Sequence, residues 1–206
     1  MATVATFLTN VRWQLRDADA SLYDDDSELL LYLNTAIAQL DSILSQINSD
    51  RVLTNSTLAL GAAANYVAAP TGCMVGRHAW ISTDFLHKVD PDYIMVRRKN
   101  LGTTTGQPMY WAHQGANIIF DYTTDDAYSV DFYYDVATTA ITATSTSMPY
   151  SDVYNDMLLQ GVTILAKSPR EYSLNAEGVL HDFFMENAMK REIKRRHSPK
   201  KYIVGF

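Results

Sequence analysis

The stretch DSELLLYLNTAIAQLDSILSQIN, Asp26 to Asn48, places Leu30, Leu33, Ile37, Leu40, Leu44 and Ile47 at alternating steps of three and four, with Leu29, Ala36 and Ile43 widening the stripe. That period predicts a helix of about six turns, and no Pro or Gly interrupts it. So wide an apolar face requires other helices to cover it. Asp25, three residues before Glu28, supplies a capping-box start in which a carboxylate accepts the free N–H groups of the first turn. Working outward, Val4, Phe7, Leu8, Val11 and Leu15 form a narrower stripe and predict a preceding helix. Two further helices are expected near the other end. Asp152 to Lys167 carries Met157, Leu158, Val162 and Leu165 on one side, with Gly161 open to the close approach of a neighbour and Pro169 as the stop. Leu174 to Arg196 carries Val179, Leu180, Phe183, Phe184 and Asn187 and becomes polar and basic over its last two turns, where its core-facing part is expected to end.

Beyond Arg51 the period becomes two and turn residues punctuate short runs, at Ala64 to Ala68, Met74 to Ser82, Met109 to His113, Asn117 to Tyr122 and Tyr128 to Val136. In the clearest run Tyr128, Val130, Phe132, Tyr134 and Val136 share one face, and Ser129, Asp131, Tyr133 and Asp135 the other. Gln114-Gly115 and Thr124-Asp125-Asp126 read as turns that make the last three runs an antiparallel meander. Asp90-Pro91 opens a short helix near 91–99. Residues 137–149, rich in Thr, Ser and Ala, read as a linker or weak edge strand. The expectation is an α+β fold. N-terminal and C-terminal helix pairs (1–50 and 150–196) close into one helical bundle, an antiparallel β subdomain is inserted at 51–149, and 197–206 form an extended arm.

Composition narrows the function. The 206 residues are 47% hydrophobic and 19% charged, within the ordinary globular range. One cysteine, Cys73, excludes an internal disulfide or a multi-cysteine cluster. No run approaches the roughly 20 apolar residues of a membrane span, so no membrane partner is expected, and Asn10, Arg12 and Gln14 break up what a signal peptide would need. The net charge of −6 disfavours wrapping nucleic acid over the whole surface. That charge is polarised, with Lys190, Arg191, Lys194, Arg195, Arg196, Lys200 and Lys201 facing only Glu192 in the last 19 residues. That end is +6 and the rest −12.

No catalytic constellation is found, and no cofactor or metal site is expected. Asp17 to Glu28 offers oxygen ligands at positions 1, 3, 5, 9 and 12 of an EF-hand-like loop, but Leu22 stands where the sharp turn needs Gly, and the acids read as caps. The five histidines lack metal spacing, Cys73 has no evident base, and Asp125-Asp126 read as turn formers. Tyr110, Trp111, Phe120, Tyr122, Tyr128, Phe132, Tyr133 and Tyr134 crowd 25 residues, but no Lys or Arg occurs between 107 and 136, so base stacking is disfavoured. Core packing plus a subunit or tail contact through Tyr110, Trp111 and Tyr133 is the better account. The basic end finishes in Tyr202, Ile203, Val204 and Phe206, apolar groups that suit docking on a protein more than binding to phosphates.

Val11-Arg-Trp-Gln-Leu-Arg16-Asp17, then Tyr23 and Asp24 to Asp26, then Glu28 through Tyr32-Leu33-Asn34-Thr-Ala36 make an opening helix, an acidic loop and a Tyr-Leu-Asn-x-Ala phrase. With Gly106-Gln-Pro108-Met-Tyr110, Ile118, Phe120 and Phe132-Tyr133-Tyr134, this order of parts resembles the head-to-tail adaptor (connector) proteins of tailed bacteriophages. The resemblance implies a non-enzymatic virion protein of the neck, made in the host cytoplasm. It implies a homo-oligomeric ring, commonly of twelve copies, seated beneath the portal protein, receiving tail or nozzle proteins on its other side and passing genomic DNA through its lumen. It also implies an arm, here Lys190 to Phe206, that reaches into the portal. The 137–147 linker and the strongly basic arm depart from the family pattern. A DNA-binding accessory protein using that arm, another neck or tail-completion ring protein, and a small calcium-regulated module or enzyme are the other readings open at this point.

Overall fold

The computed structural model describes residues 3–17, 26–150, 152–167 and 176–197. Among them are five helices, α1 (Val4–Leu15), α2 (Asp26–Gln46), α3 (Pro91–Leu101), α4 (Asp152–Lys167) and α5 (Ala176–His197). The strands are β1 (Leu53–Leu60), β2 (Tyr66–Ala68), β3 (Cys73–Ile81), β4 (Asp84–Lys88), β5 (Tyr110–Gln114), β6 (Asn117–Phe120) and β7 (Tyr128–Val136). They form one sheet in the order β1-β7-β3-β4-β5-β6-β2, and its two ends, β1 and β2, also touch. The architecture is therefore five helices with a nearly closed, barrel-like seven-stranded sheet. This corrects the expectation of a bundle of helix pairs with a small inserted antiparallel β subdomain.

Two observations overturn it. The sheet has its own core of Leu58, Leu60, Ile81, Leu86, Trp111, Phe120, Val130 and Phe132, so it is no appendage. The predicted meander does not form either. β5 and β6 pair antiparallel, but β7 lies between β1 and β3, and β4 pairs in parallel with β5. The helices of the two ends do meet, α4 packing against α1, α2 and α5 alike. The chain divides into a helical unit, residues 1–49 with 138–206, and a β unit, residues 50–137.

In the helical unit the buried stripe of α2 is Leu29, Leu33, Ala36, Ile37, Leu40, Ile43 and Leu44. The residues read as widening the stripe are thus its centre, while Leu30 and Ile47 are half-buried. α1 buries Val4, Phe7, Leu8 and Val11, is capped by Thr3, whose hydroxyl accepts the Thr6 N–H, and ends on Arg16 in the left-handed region. Gly161 of α4 meets α5 closely, because a Cβ there would lie 2.6 Å from Phe184 Cζ and 2.9 Å from Leu180 Cδ1. Gly161→Ala is accordingly expected to lose about 1–2 kcal/mol, an overpacking cost that outweighs the roughly 1 kcal/mol of helix propensity gained. Denaturant unfolding followed by circular dichroism at the helix band measures it.

Residues 138–150, nearly the stretch read as a linker or weak edge strand, form a strap fastened to the helical unit, with one antiparallel bridge between Thr3 and Ser147. The backbone N–H groups of Val4 and Ala5, otherwise free at the start of α1, donate to Thr146 and Thr144 carbonyls at 2.9 Å. Asn34 of α2 clasps Ile141 from both sides, its Nδ2 donating to the carbonyl at 3.0 Å and its Oδ1 accepting the N–H at 2.8 Å. Asp41, one turn pair further along α2 and fully buried, accepts from Thr138 N at 2.7 Å, Thr138 Oγ1 at 3.2 Å and the Tyr150 hydroxyl.

In the β unit Gly76 of β3 is what lets two large rings lie against the backbone. An added Cβ would stand 2.6 Å from the Phe132 ring and 2.7 Å from that of Trp111. α3 begins at the Asp90 cap, whose carboxylate accepts the Asp92 N–H at 2.8 Å. Two arginines bolt it to the sheet, Arg98 donating to the Phe120 carbonyl at 2.7 Å and Arg97 to Asp121 Oδ2 at 2.7 Å.

Candidate functional site

Two surfaces answer to the sequence-predicted residues, one in each unit. In the helical unit, α5 buries Leu180, Phe184, Ala188 and Glu192. Its packed face therefore runs a turn or more beyond where the sequence pattern ends it. Glu192 is tolerated there because the Tyr154 hydroxyl of α4 donates to its Oε1 at 2.7 Å. Arg191 lies over the Tyr154 ring at 5.9 Å, and Lys190 pairs with Glu186 one turn back. The first basic residues of the expected arm thus stand on a helix that packs on its own unit. Arg195 and Arg196 follow on the same helix, and Lys200, Lys201, Tyr202, Ile203, Val204 and Phe206 lie outside the described residues. Beside this basic end Met189 and Ile193 are exposed and line, with Ile47 and Glu192, a cleft of about 110 Å³. Trp13 and Leu31 are the other large exposed apolar groups of α1 and α2, Trp13 at 78% exposure.

In the β unit the aromatic cluster divides as strand alternation dictates. Trp111, named above as a contact candidate, is wholly buried, its Nε1 donating to the Leu86 carbonyl at 3.1 Å and its ring set edge-on against Phe132 at 5.2 Å. Tyr110 and Tyr133 are half-buried and belong to a longer ladder of rings. Tyr133 of β7 meets Trp80 of β3 at 5.1 Å, Trp80 meets Phe85 of β4 at 5.3 Å, and Phe85 meets His87 at 5.5 Å. His87 then meets Tyr110 of β5 at 5.7 Å, and Tyr110 meets Tyr93 of α3 at 5.4 Å. Arg97 lies over the Tyr110 ring at 4.7 Å. Sequence reasoning missed Trp80, Phe85, His87 and Tyr93. A signal existed, because His78 and Trp80 stand at the same distances before Ser82-Thr83 as Phe85 and His87 stand after it, the mark of a hairpin with rings on one face.

The residues weighed for chemistry have structural occupations. Cys73, half-buried, has its thiol pushed up to about 11, chiefly by burial and then by Asp135, which leaves it protonated at neutral pH. Asp125 accepts the Tyr128 hydroxyl at 2.6 Å, which holds its carboxyl below the usual range, and Asp126 accepts the Ala127 N–H, so the pair shapes a turn. Asp17, the first position of the EF-hand-like loop, is buried and ion-paired with Arg12 at 3.2 Å, while 18–25 lie outside the described residues. No cluster of three or more His, Cys, Asp or Glu suited to a metal occurs among the described residues, and no helix there is long and apolar enough to cross a membrane.

The chain matches the SU10 adaptor protein family over residues 2–201, nearly its whole length, and belongs to that family. It is thus a bacteriophage structural adaptor of the head-to-tail kind, and its family implies contacts with portal and tail proteins and a place in the virion neck. Comparison with curated proteins gives no match.

Proposed function

We propose that copies of this chain form a ring, twelve in number, that seats under the portal, joins it to the tail components and continues the DNA channel without catalysing a reaction. The observation that carries this reading is the family match over residues 2–201, helices and sheet together. Exposed apolar groups of the helical unit, Trp13, Leu31, Met189 and Ile193, supply material for contacts between copies. The basic residues at the end of α5, continued by Lys200, Lys201, Tyr202, Ile203, Val204 and Phe206, form the portal-docking arm, and repetition around the ring multiplies a modest grip per arm. The acidic remainder of the chain lets DNA pass without sticking.

The test removes 198–206 and keeps α5 whole, because Glu192 belongs to the packed part of the unit. The truncated chain is expected to keep its helical content and unfolding midpoint while losing about tenfold or more of its binding to purified portal rings, scored by electron microscopy of the mixture. Equal seating of the truncated chain sinks the proposed arm. Should the full chain ignore portal rings but retain duplex DNA with steep salt dependence, unaffected by removal of Tyr202 to Phe206, it is a DNA-binding accessory protein instead.

A further inference from the structure

The ring ladder of the β unit is the strongest feature that the fold itself does not use. Its rings stand on the outer side of the sheet and on α3 beside it, with Trp80, Tyr110 and Tyr133 half-buried, His87 exposed, Phe85 and Tyr93 each 45% exposed and neighbouring Met109 51% exposed. Beside Phe85 and His87 the face dips into a cleft of about 340 Å³ bounded by Asp84, Gln107, Pro108 and Met109. Aromatic surface of this extent in contact with water marks a place where another molecule sits.

The charges around the ladder say what kind of molecule. The nearby cations are committed inward. Arg77 makes a bidentate pair with buried Asp135 at 2.8 and 2.9 Å, Lys88 donates to the Gly76 carbonyl at 2.7 Å, Arg97 binds Asp121 and Arg98 the Phe120 carbonyl. The carboxylates bordering the ladder are bonded to neutral groups. Asp84 accepts from the Gln107 amide and Asp131, opposite Trp80 in the sheet, from the Thr57 hydroxyl, both at 2.9 Å. The ring faces themselves attract cations. We propose that this ladder is the docking surface for a tail component, through a segment of that component that presents lysine or arginine side chains among apolar ones. The inference rests on the adaptor reading and adds to it the surface and the chemistry of the partner.

The experiment assembles portal rings, the full chain and the purified tail proteins of the same particle, and measures the tail protein that sediments with the complex. Phe85→Ala with Tyr93→Ala is expected to lower the retained tail protein about tenfold or more while portal seating stays unchanged. Asp84→Lys with Asp131→Lys, which disturbs no core packing, is expected to do the same, and wild-type retention is expected to weaken as salt rises from about 0.05 to about 0.5 M. If both variants hold tail protein as the wild type does, the ladder is not the docking surface. If the ring variant fails but charge reversal has no effect, the cationic partner is wrong. Loss of portal seating or of self-association in these variants reassigns the face to the portal or to a second copy and overturns the proposal. A wild-type chain that fails to bridge portal and tail overturns the adaptor reading as well, whereas bridging that ignores the ladder variants overturns this inference alone.

Discussion

Asp121→Ala is expected to cost the β unit about 3–5 kcal/mol, the largest single loss anticipated for this chain, because it strips two backbone donors of their acceptor at once and removes the buried carboxylate that a partly exposed arginine binds. Asp121 has almost no exposed surface. Its Oδ1 accepts the N–H groups of both Met109 and Tyr110 at 3.0 Å, and its Oδ2 holds Arg97 of α3 at 2.7 Å. Without it, α3 keeps the Arg98 bond and the packing of Ile94 on Ala112 and Ile119, and the ring of Tyr110 loses the hold on the guanidinium that stacks on it. Asp121→Asn retains an acceptor for the two backbone donors and so is expected to lose less, about 2 kcal/mol. Because two of the three tryptophans, Trp80 and Trp111, lie in the β unit, fluorescence-detected denaturant titration reads this change in the unit where it occurs. Equal stability of wild type and Asp121→Ala would show that the α3 anchor carries no weight.

Asp41→Ala is expected to cost the helical unit about 2–4 kcal/mol, since it leaves the Thr138 N–H and the Tyr150 hydroxyl buried without their acceptor. The same side chain gives stability a pH dependence of definite sign. Burial, opposed by the bonds from Tyr150 and Thr138, raises the Asp41 carboxyl above its ordinary value. The folded chain therefore binds a proton more tightly there than the unfolded chain does. Its contribution is fully present below the unfolded value and is lost as pH rises through the raised folded one, after which it is flat. Asp41→Asn should abolish that slope between acidic and neutral pH, as measured by thermal unfolding across a pH series. An unchanged slope in the Asn variant would assign the dependence to another group.

What the sequence made legible follows from how local each cause is. The α2 stripe, the Asp90-Pro91 start of α3, the alternation along β7 and the close approach at Gly161 are all written within a few residues of one another, and each stands in the structure as a local feature. β4 escapes the apolar period because only Leu86 of its five residues is buried, and its one mark is the mirrored placing of Phe85 and His87 against Trp80 and His78. β1 escapes because Thr54, Asn55 and Ser56 open it with polar groups, and its pairing with β7 joins residues far apart in the chain. The strap at 138–150 reads as loose because its hold comes from the helix side, from Asn34 and Asp41. Of the ring ladder, Tyr110 and Tyr133 are marked by aromatic density, whereas Trp80, Phe85 and Tyr93 join them only through the β7-β3-β4 pairing and the docking of α3.

The pairing of β1 with β7 has a consequence of its own. Leu53 faces Asp135 across the ladder and the Val136 N–H donates to the Val52 carbonyl at 2.9 Å, so the chain departs for the sheet and comes back from it at one doorway. A detour whose two feet stand together can be exchanged for a longer, shorter or differently decorated one without rethreading what lies on either side. The sheet is in this sense a cassette, replaceable as a piece while the course of the chain on either side of it is kept.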